Sequence, residues 1–394
     1  MTGAKVVITG VGLRLPGARD LDELVALYRK GRSATRPLSE NLAGWSGGLV
    51  DGENHDPERI DRASVLALAA AGDAVTMAGT AREALADAGV YVGTGVAGMM
   101  TLESGLNTLA AGGTVKSNTL PRSMANAPAA HISIAHGCGG PVLTYAMACS
   151  SSAHAIGEAF QAIAAGRCST IIAGGTEAAM TYGVHRSWAA LRLLAHGEGA
   201  ACRPFCYERG GLLLGEGAVF FVLENAETAR LRGATMLAEV AGYGACSDAA
   251  HITAPNNQGQ TRTMAAALKS ANRSGGDIDH VSAHGTATLA GDLSETQAIR
   301  AVLGDRAGSV PVSGGKSFHG HLLGAAGATG VLASLLAVRD GLIVPTVNFG
   351  TPDPDLGLDY VPNVARDGAD IAFSMCNAFG FGGSNASLVI GRWA

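Results

Sequence analysis

The feature that most constrains this chain is an alternation running its whole length. Short apolar runs of strand length are each followed by glycine and then by an alanine-rich stretch of helical periodicity. KVVITGVGL (from Lys5), VYVGTGV (from Val90), PVLTYAM (Pro141–Met147) and TIIAGGTEA read as buried strands, and GEGAVFFVLEN as a strand leading into an exposed helix. Leu21–Tyr28 and Ala63–Ala88 read as helices, and Pro121–His136 as partly helical. From about Gly233 the order starts again. MLAEVAGYGA, IDHVSAHGTAT, VPVSGGKSFHGH, DIAFSMCNAF and ASLVIGRW are strands, separated by the helical TRTMAAALKSANRSG, DLSETQAIRAVLG and LLGAAGATGVLASLLAVRDG. This alternation predicts an α/β architecture with largely parallel buried strands. It further predicts an internal duplication, residues 1–233 and 234–394, with no proline- or serine-rich linker between the halves. They are expected to share one compact core.

Composition narrows the function class. At 394 residues and 47% hydrophobic content, the chain can bury a large core. Its 56 glycines are about twice the usual share of roughly 7% and follow no period, so they mark tight turns and close backbone approaches. Net charge is -5 and no basic run occurs, which argues against a nucleic-acid partner. No apolar run of membrane-spanning length is free of glycine or charge, and no secretory signal is visible, so no membrane association is expected. Seven scattered cysteines then fit free thiols in a cytoplasm. Gly10, Gly12 and Gly17 do not fit a dinucleotide-binding fingerprint and are read as a packing turn.

Cys149 follows an apolar strand and opens a small-residue helix. Outward-pointing N–H groups at a helix start favour negative charge, so the thiol is expected to shift towards thiolate. The same N–H groups can hold a thioester oxyanion. A buried structural cysteine is the alternative. His284 and either His319 or His321 follow strands amid glycines and small residues, where α/β proteins place their sites. Lys316 is an expensive residue in an otherwise uncharged loop. CNAFGFGGSN (Cys376–Asn385) reads as a gate built around Phe379 and Phe381, or as a plain hairpin turn. Cys202, Cys206 and His196 lack further ligands at metal-binding spacing, so no metal is expected. Asp248, His251 and Thr253 form a polar cluster that suits catalysis or loop bracing equally.

The ordered set ACSSS, GGTEA, RPFCYERGGLLLGEGA, SDAAHITAP, AHGTATLAGD, GKSFHGHLLGAAG and CNAFGFGGSN resembles the β-ketoacyl-acyl carrier protein synthases, within the thiolase-fold condensing enzymes, over nearly the whole chain. The resemblance implies a five-layered αβαβα fold of two related halves. It also implies decarboxylative Claisen condensation of an acyl chain with malonyl-acyl carrier protein. Cys149 matches the acylated nucleophile, His284 and His321 the two active-site histidines, and Lys316 the lysine that organises the site. Phe381 matches the gate, whose N–H completes the oxyanion hole with that of Cys149. Thr286 and Thr288 match hydroxyls that bind the phosphopantetheine arm. No metal or redox cofactor is implied. Acyl carrier protein is the implied partner, with Arg203 as a docking candidate. The implied assembly is a homodimer, or a heterodimer with a chain-length-factor-like subunit. Val96 is a candidate for the floor of the acyl pocket.

Two positions depart from the pattern. Cys206 stands where an aspartate is usual, and Gly330 where elongating enzymes generally carry a glutamate near the lysine, which leaves the charge partner of Lys316 open. Gly330 and ACSSS are similar to modular polyketide ketosynthases. The chain ends right after its last strand, so a free-standing polyketide, polyene or fatty acid enzyme is expected. The competing expectations are a non-catalytic chain-length partner, which typically lacks the cysteine, and a thiolase, which would need a second catalytic cysteine near Cys376.

Overall fold

The computed structural model describes residues 4–53, 56–197 and 199–393. Ten strands form one large sheet and are numbered here in chain order. In the first half they are β1 (Val6–Arg14), β2 (Gly89–Gly93), β3 (Val142–Tyr145), β4 (Thr170–Glu177) and β5 (Gly217–Asn225). In the second they are β6 (Ala238–Ser247), β7 (His280–Ser282), β8 (Val312–Ser313), β9 (Phe373–Gly380) and β10 (Ser384–Gly391). Across the sheet the order is β8-β7-β9-β10-β6-β1-β5-β4-β2-β3. Each half therefore repeats the order third, second, fourth, fifth, first. The halves join where β1 pairs antiparallel with β6, Val6 opposite Val240.

The expectation of largely parallel strands is corrected. Only the outer pairs of each half, β3–β2–β4 and β8–β7–β9, are parallel. The inner strands run antiparallel. Both kinds are covered by helices on both faces, so both read as continuous apolar runs and sequence pattern does not separate them.

Helices complete five layers. Arg62–Ala78 and Ala127–His136 pack outside the first half, and Asn257–Ala271 and Leu289–Leu303 outside the second. Ser151–Ala164 and Ala326–Asp340 lie together between the half-sheets, in the largest apolar cluster. Val331, Leu332, Leu335 and Leu336 are fully buried there, each worth roughly 1.5–3 kcal/mol. The segment Leu323–Asp340 has the length and apolar composition of a membrane span, yet most of it is enclosed in this layer.

Two local expectations change. The helix expected over 63–88 stops at Ala78, because Gly79 takes a left-handed φ of 62° and caps it. Gly10 and Gly12 form no turn. They lie inside β1, where a Cβ would fall 2.1 Å from the Ala74 carbonyl oxygen and 2.0 Å from that of Ala70, so they let the outer helix press onto the strand.

Candidate active site

The chain leaves β3 and turns sharply at Ala148, a non-glycine residue with φ of 49°, which sets Cys149 at the tip before the helix begins. The three serines that follow do more than start a helix. Ser150 Oγ donates to the carbonyls of Met147 and Ser384, each at 2.8 Å, tying the Cys149 turn to the glycine hairpin. Ser151 Oγ accepts from Met147 N (2.8 Å) and donates to Ala148 O (2.6 Å). Ser152 Oγ accepts from Ala328 N at 2.9 Å, joining the two central helices.

Two cavities meet at Cys149. One, of about 170 Å³, is lined by His284, His321, Thr286, Thr288, Thr253 and Phe379. The other, of about 540 Å³, is lined by Val96, Met99, Leu106, Val184 and Leu323, and carries Glu103 and Ser187. Cys149, Trp188 and Phe381 border both. Trp188 stacks on Phe381 with centroids 5.4 Å apart and planes 23° apart. The sequence reading missed Trp188, since a tryptophan in a helix gives no signal of its own.

The histidine rings stand edge to face, 5.6 Å between centroids. Lys316 reaches His284 twice, donating to its carbonyl and lying 3.3 Å from its Nδ1. His321 Nδ1 accepts from Leu323 N at 3.1 Å, which leaves the ring proton on Nε2. That Nε2 is buried with no partner among the described residues. Burial, then the charge of Lys316, holds both imidazoles well below the ordinary histidine range, so both are neutral donors at pH 7. His319, the rival of His321, points elsewhere: its ring bonds Pro16 O (3.0 Å) and Tyr28 Oη (3.1 Å).

The thiol departs from expectation. Burial raises Cys149 to about 11, against the lowering effects of Lys316 and the N–H groups of Phe381 and Cys149, while Glu177 raises it further. At rest the group is a thiol, because desolvation of the anion outweighs the helix start.

Glu295 answers the question left by Gly330. Its buried carboxylate accepts from the N–H groups of His284 and Gly285, each at 2.8 Å; burial pushes the Lys316 ammonium down and this carboxylate up, and the attraction of Glu295 for Lys316 offsets part of the lysine's shift. At Gly330 a Cβ would meet Cys376 Sγ at 2.6 Å. Cys376 itself lies inside β9, fully buried, with its thiol directed at the Gly327 carbonyl (3.7 Å), and borders neither cavity.

The remaining candidates separate. Thr286 and Thr288 hydroxyls stand 2.9 Å apart on the smaller cavity. Asp248 accepts from Asn385 Nδ2 (2.6 Å) and His251 Nδ1 from the N–H groups of Thr253 and Ala254, so this cluster braces loops. With Gly382 N donating to Ile252 O at 2.7 Å, it also holds the hairpin carrying Phe381. Arg203 is part-exposed, donates to Gly199 O and borders neither cavity. No group of three His, Cys, Asp or Glu suited to a metal occurs among the described residues, and Cys202 and Cys206 are buried thiols.

Comparison with known proteins agrees with this geometry. The chain is 41% identical over 398 residues to nodulation protein E of Rhizobium meliloti (strain 1021), covering 98% of each. It is 38% identical over 408 residues to 3-oxoacyl-[acyl-carrier-protein] synthase 2 of Staphylococcus aureus (strain COL), covering 99% of this chain and 98% of that one. The solved ishigamide ketosynthase/chain length factor superposes with a TM-score of 0.92 at 33% identity over the full length of both chains. The β-ketoacyl synthase N-terminal domain matches residues 4–229 and the C-terminal domain residues 237–350, and the chain belongs to the β-ketoacyl synthase family of condensing acyltransferases with a thiolase-like fold.

Proposed function

We propose that Cys149, His284, His321 and Lys316 carry out a decarboxylative Claisen condensation on carrier-bound substrates. In the first step Cys149 Sγ bonds the acyl carbon and the carrier sulfur leaves with the thiol proton. In the second, malonyl carrier occupies the smaller cavity. The Nε2 protons of neutral His284 and His321 bond the thioester oxygen as charge grows on it. Carbon dioxide leaves, the carbanion attacks the Cys149 thioester, and Cys149 regains a proton. Lys316, sustained by Glu295, holds the His284 ring. The N–H groups of Cys149 and Phe381 stabilise the oxyanion on the acyl side, and Phe381 with Trp188 gates the junction. Thr286 and Thr288 bind the phosphopantetheine arm. The observation that carries this reading is the convergence of both neutral, cation-flanked histidines and the thiol on one pair of joined cavities.

The larger cavity is the acyl pocket in this reading, with Val96 on its wall. We further propose acyl carrier protein as partner, with Arg203 a docking residue, and a type II polyketide, polyene or fatty acid pathway in the cytoplasm. Residues 1–233 and 234–394 form the two duplicated halves, which the repeated strand order supports. A dimer, with itself or a chain-length-factor-like subunit, is supported by exposed Leu102, Leu106, Leu109, Leu120 and Ile134 and by the exposed edge strand β3. Intact-mass analysis after incubation with acyl-carrier thioesters tests the core of it. One acyl adduct forms on Cys149 and none on Cys149→Ala. Acyl transfer at an unchanged rate in Cys149→Ala would refute it.

A further inference from the structure

The GGTEA segment ends β4 with Glu177, a residue with no part in the chemistry above. It is fully buried, and among the described residues its carboxylate is held by neutral donors: Gly95 N (2.6 Å), Val96 N (3.1 Å), Thr94 Oγ1 (3.2 Å) and Gly324 N (3.0 Å). Burying a carboxylate without a cation is costly, and burial lifts this one to about 7. The four donors belong to two turns pressed together. A Cβ at Gly324 would fall 2.2 Å from Gly95 N, and one at Gly95 would fall 2.8 Å from Glu177 Oε2. The second turn carries Leu323, whose N–H fixes the His321 ring and whose φ of 43° lies in the left-handed region that a leucine rarely adopts. Such a conformation persists only where its surroundings over-determine it, and Gly324 N on Glu177 is the adjoining restraint.

We propose that Glu177 is a positioning residue for His321: its carboxylate anchors the Leu323–Gly324 turn, which keeps the Leu323 N–H on His321 Nδ1 and the Nε2 proton directed into the site. This rests on His321 acting as hydrogen-bond donor in the proposed reaction. Glutamine keeps the shape of Glu177 but turns one acceptor oxygen into a donor facing donors.

Malonyl-carrier decarboxylation, Cys149 acylation by intact mass, and the pH profile of Cys149 alkylation are measured in wild type, Glu177→Gln, Glu177→Asp and His321→Ala. In Glu177→Gln the ratio of decarboxylation to acylation falls roughly 10- to 100-fold, the scale of a misplaced catalytic group. Its alkylation midpoint moves to lower pH, because Glu177 opposes the thiolate while Lys316 favours it. That shift reports only the lost charge; a merely structural role would lower both activities together and leave their ratio at the wild-type value. Glu177→Asp, which keeps the charge but withdraws the carboxylate, loses the ratio while its alkylation midpoint stays at the wild-type value, and it decides alone if the glutamine variant does not fold. A wild-type ratio in the folded variants overturns the proposal. With His321→Ala inactive in decarboxylation, that failure is confined to Glu177; if His321→Ala decarboxylates normally, the proposed role of His321 falls instead.

Discussion

Gly330→Ala is expected to change sign with its neighbour. Gly330 sits inside the helix Ala326–Asp340, where alanine is better than glycine by roughly 1 kcal/mol. The new Cβ, however, would lie 2.6 Å from Cys376 Sγ, more than an ångström inside ordinary contact. Cys376 is fully buried and directed at the Gly327 carbonyl, so it must rotate or the helix must shift. Overpacking of this kind costs about 1–3 kcal/mol. Gly330→Ala alone is therefore neutral to destabilising by about 2 kcal/mol. In a Cys376→Ala background the clash is gone and the same change stabilises by roughly 1 kcal/mol. With an unfolding entropy of about 2.1 cal/mol/K per residue over 394 residues, each kcal/mol moves Tm by only about 1 °C. Denaturant unfolding of all four members of the cycle is thus the better assay. Gly330→Ala that stabilises equally in both backgrounds would refute the packing argument. The absent acid at 330 would then need a reason other than the thiol beside it.

Lys316→Met removes a cation 3.3 Å from His284 Nδ1, a repulsion towards imidazolium of about 5 kcal/mol at an effective dielectric of 20. The His284 pKa should rise towards the ordinary value, so the acid limb of malonyl decarboxylation moves to higher pH; an unmoved limb counts against the assignment. Trp188→Ala should merge the two cavities at Phe381, and competition between carriers should then favour bulkier acyl chains; unchanged selectivity would remove Trp188 from the gate. Thr286→Val should raise KM for carrier-bound malonyl by a few-fold with little change in kcat, roughly one lost hydrogen bond, and a kcat effect instead would place Thr286 in the chemistry.

Much of this site was readable along the chain, and the reasons are local. Cys149 follows a strand and precedes a helix, Lys316 is a charge in a glycine-rich stretch, and the motif order fixed the family resemblance. His321 over His319 was decided there by resemblance, and in the structure by partners, since the His319 ring is already spent on Pro16 and Tyr28. Glu295 was not legible. It lies 11 residues beyond His284 on a helix, and only the return of that helix under the loop brings its oxygens to the His284 and Gly285 amides.

By itself the sequence determined the element order, the repeat and the residue types of the site, because strand and helix periods and turn chemistry act over a few residues. Strand direction, the state of the thiol and the job of each buried carboxylate were decided only by tertiary structure. Parallel and antiparallel strands bury the same apolar runs. Desolvation depends on how many neighbours from distant segments close over a group. Here that closure makes Cys149 a resting thiol, keeps both histidines neutral, and gives Lys316 its counter-charge from Glu295.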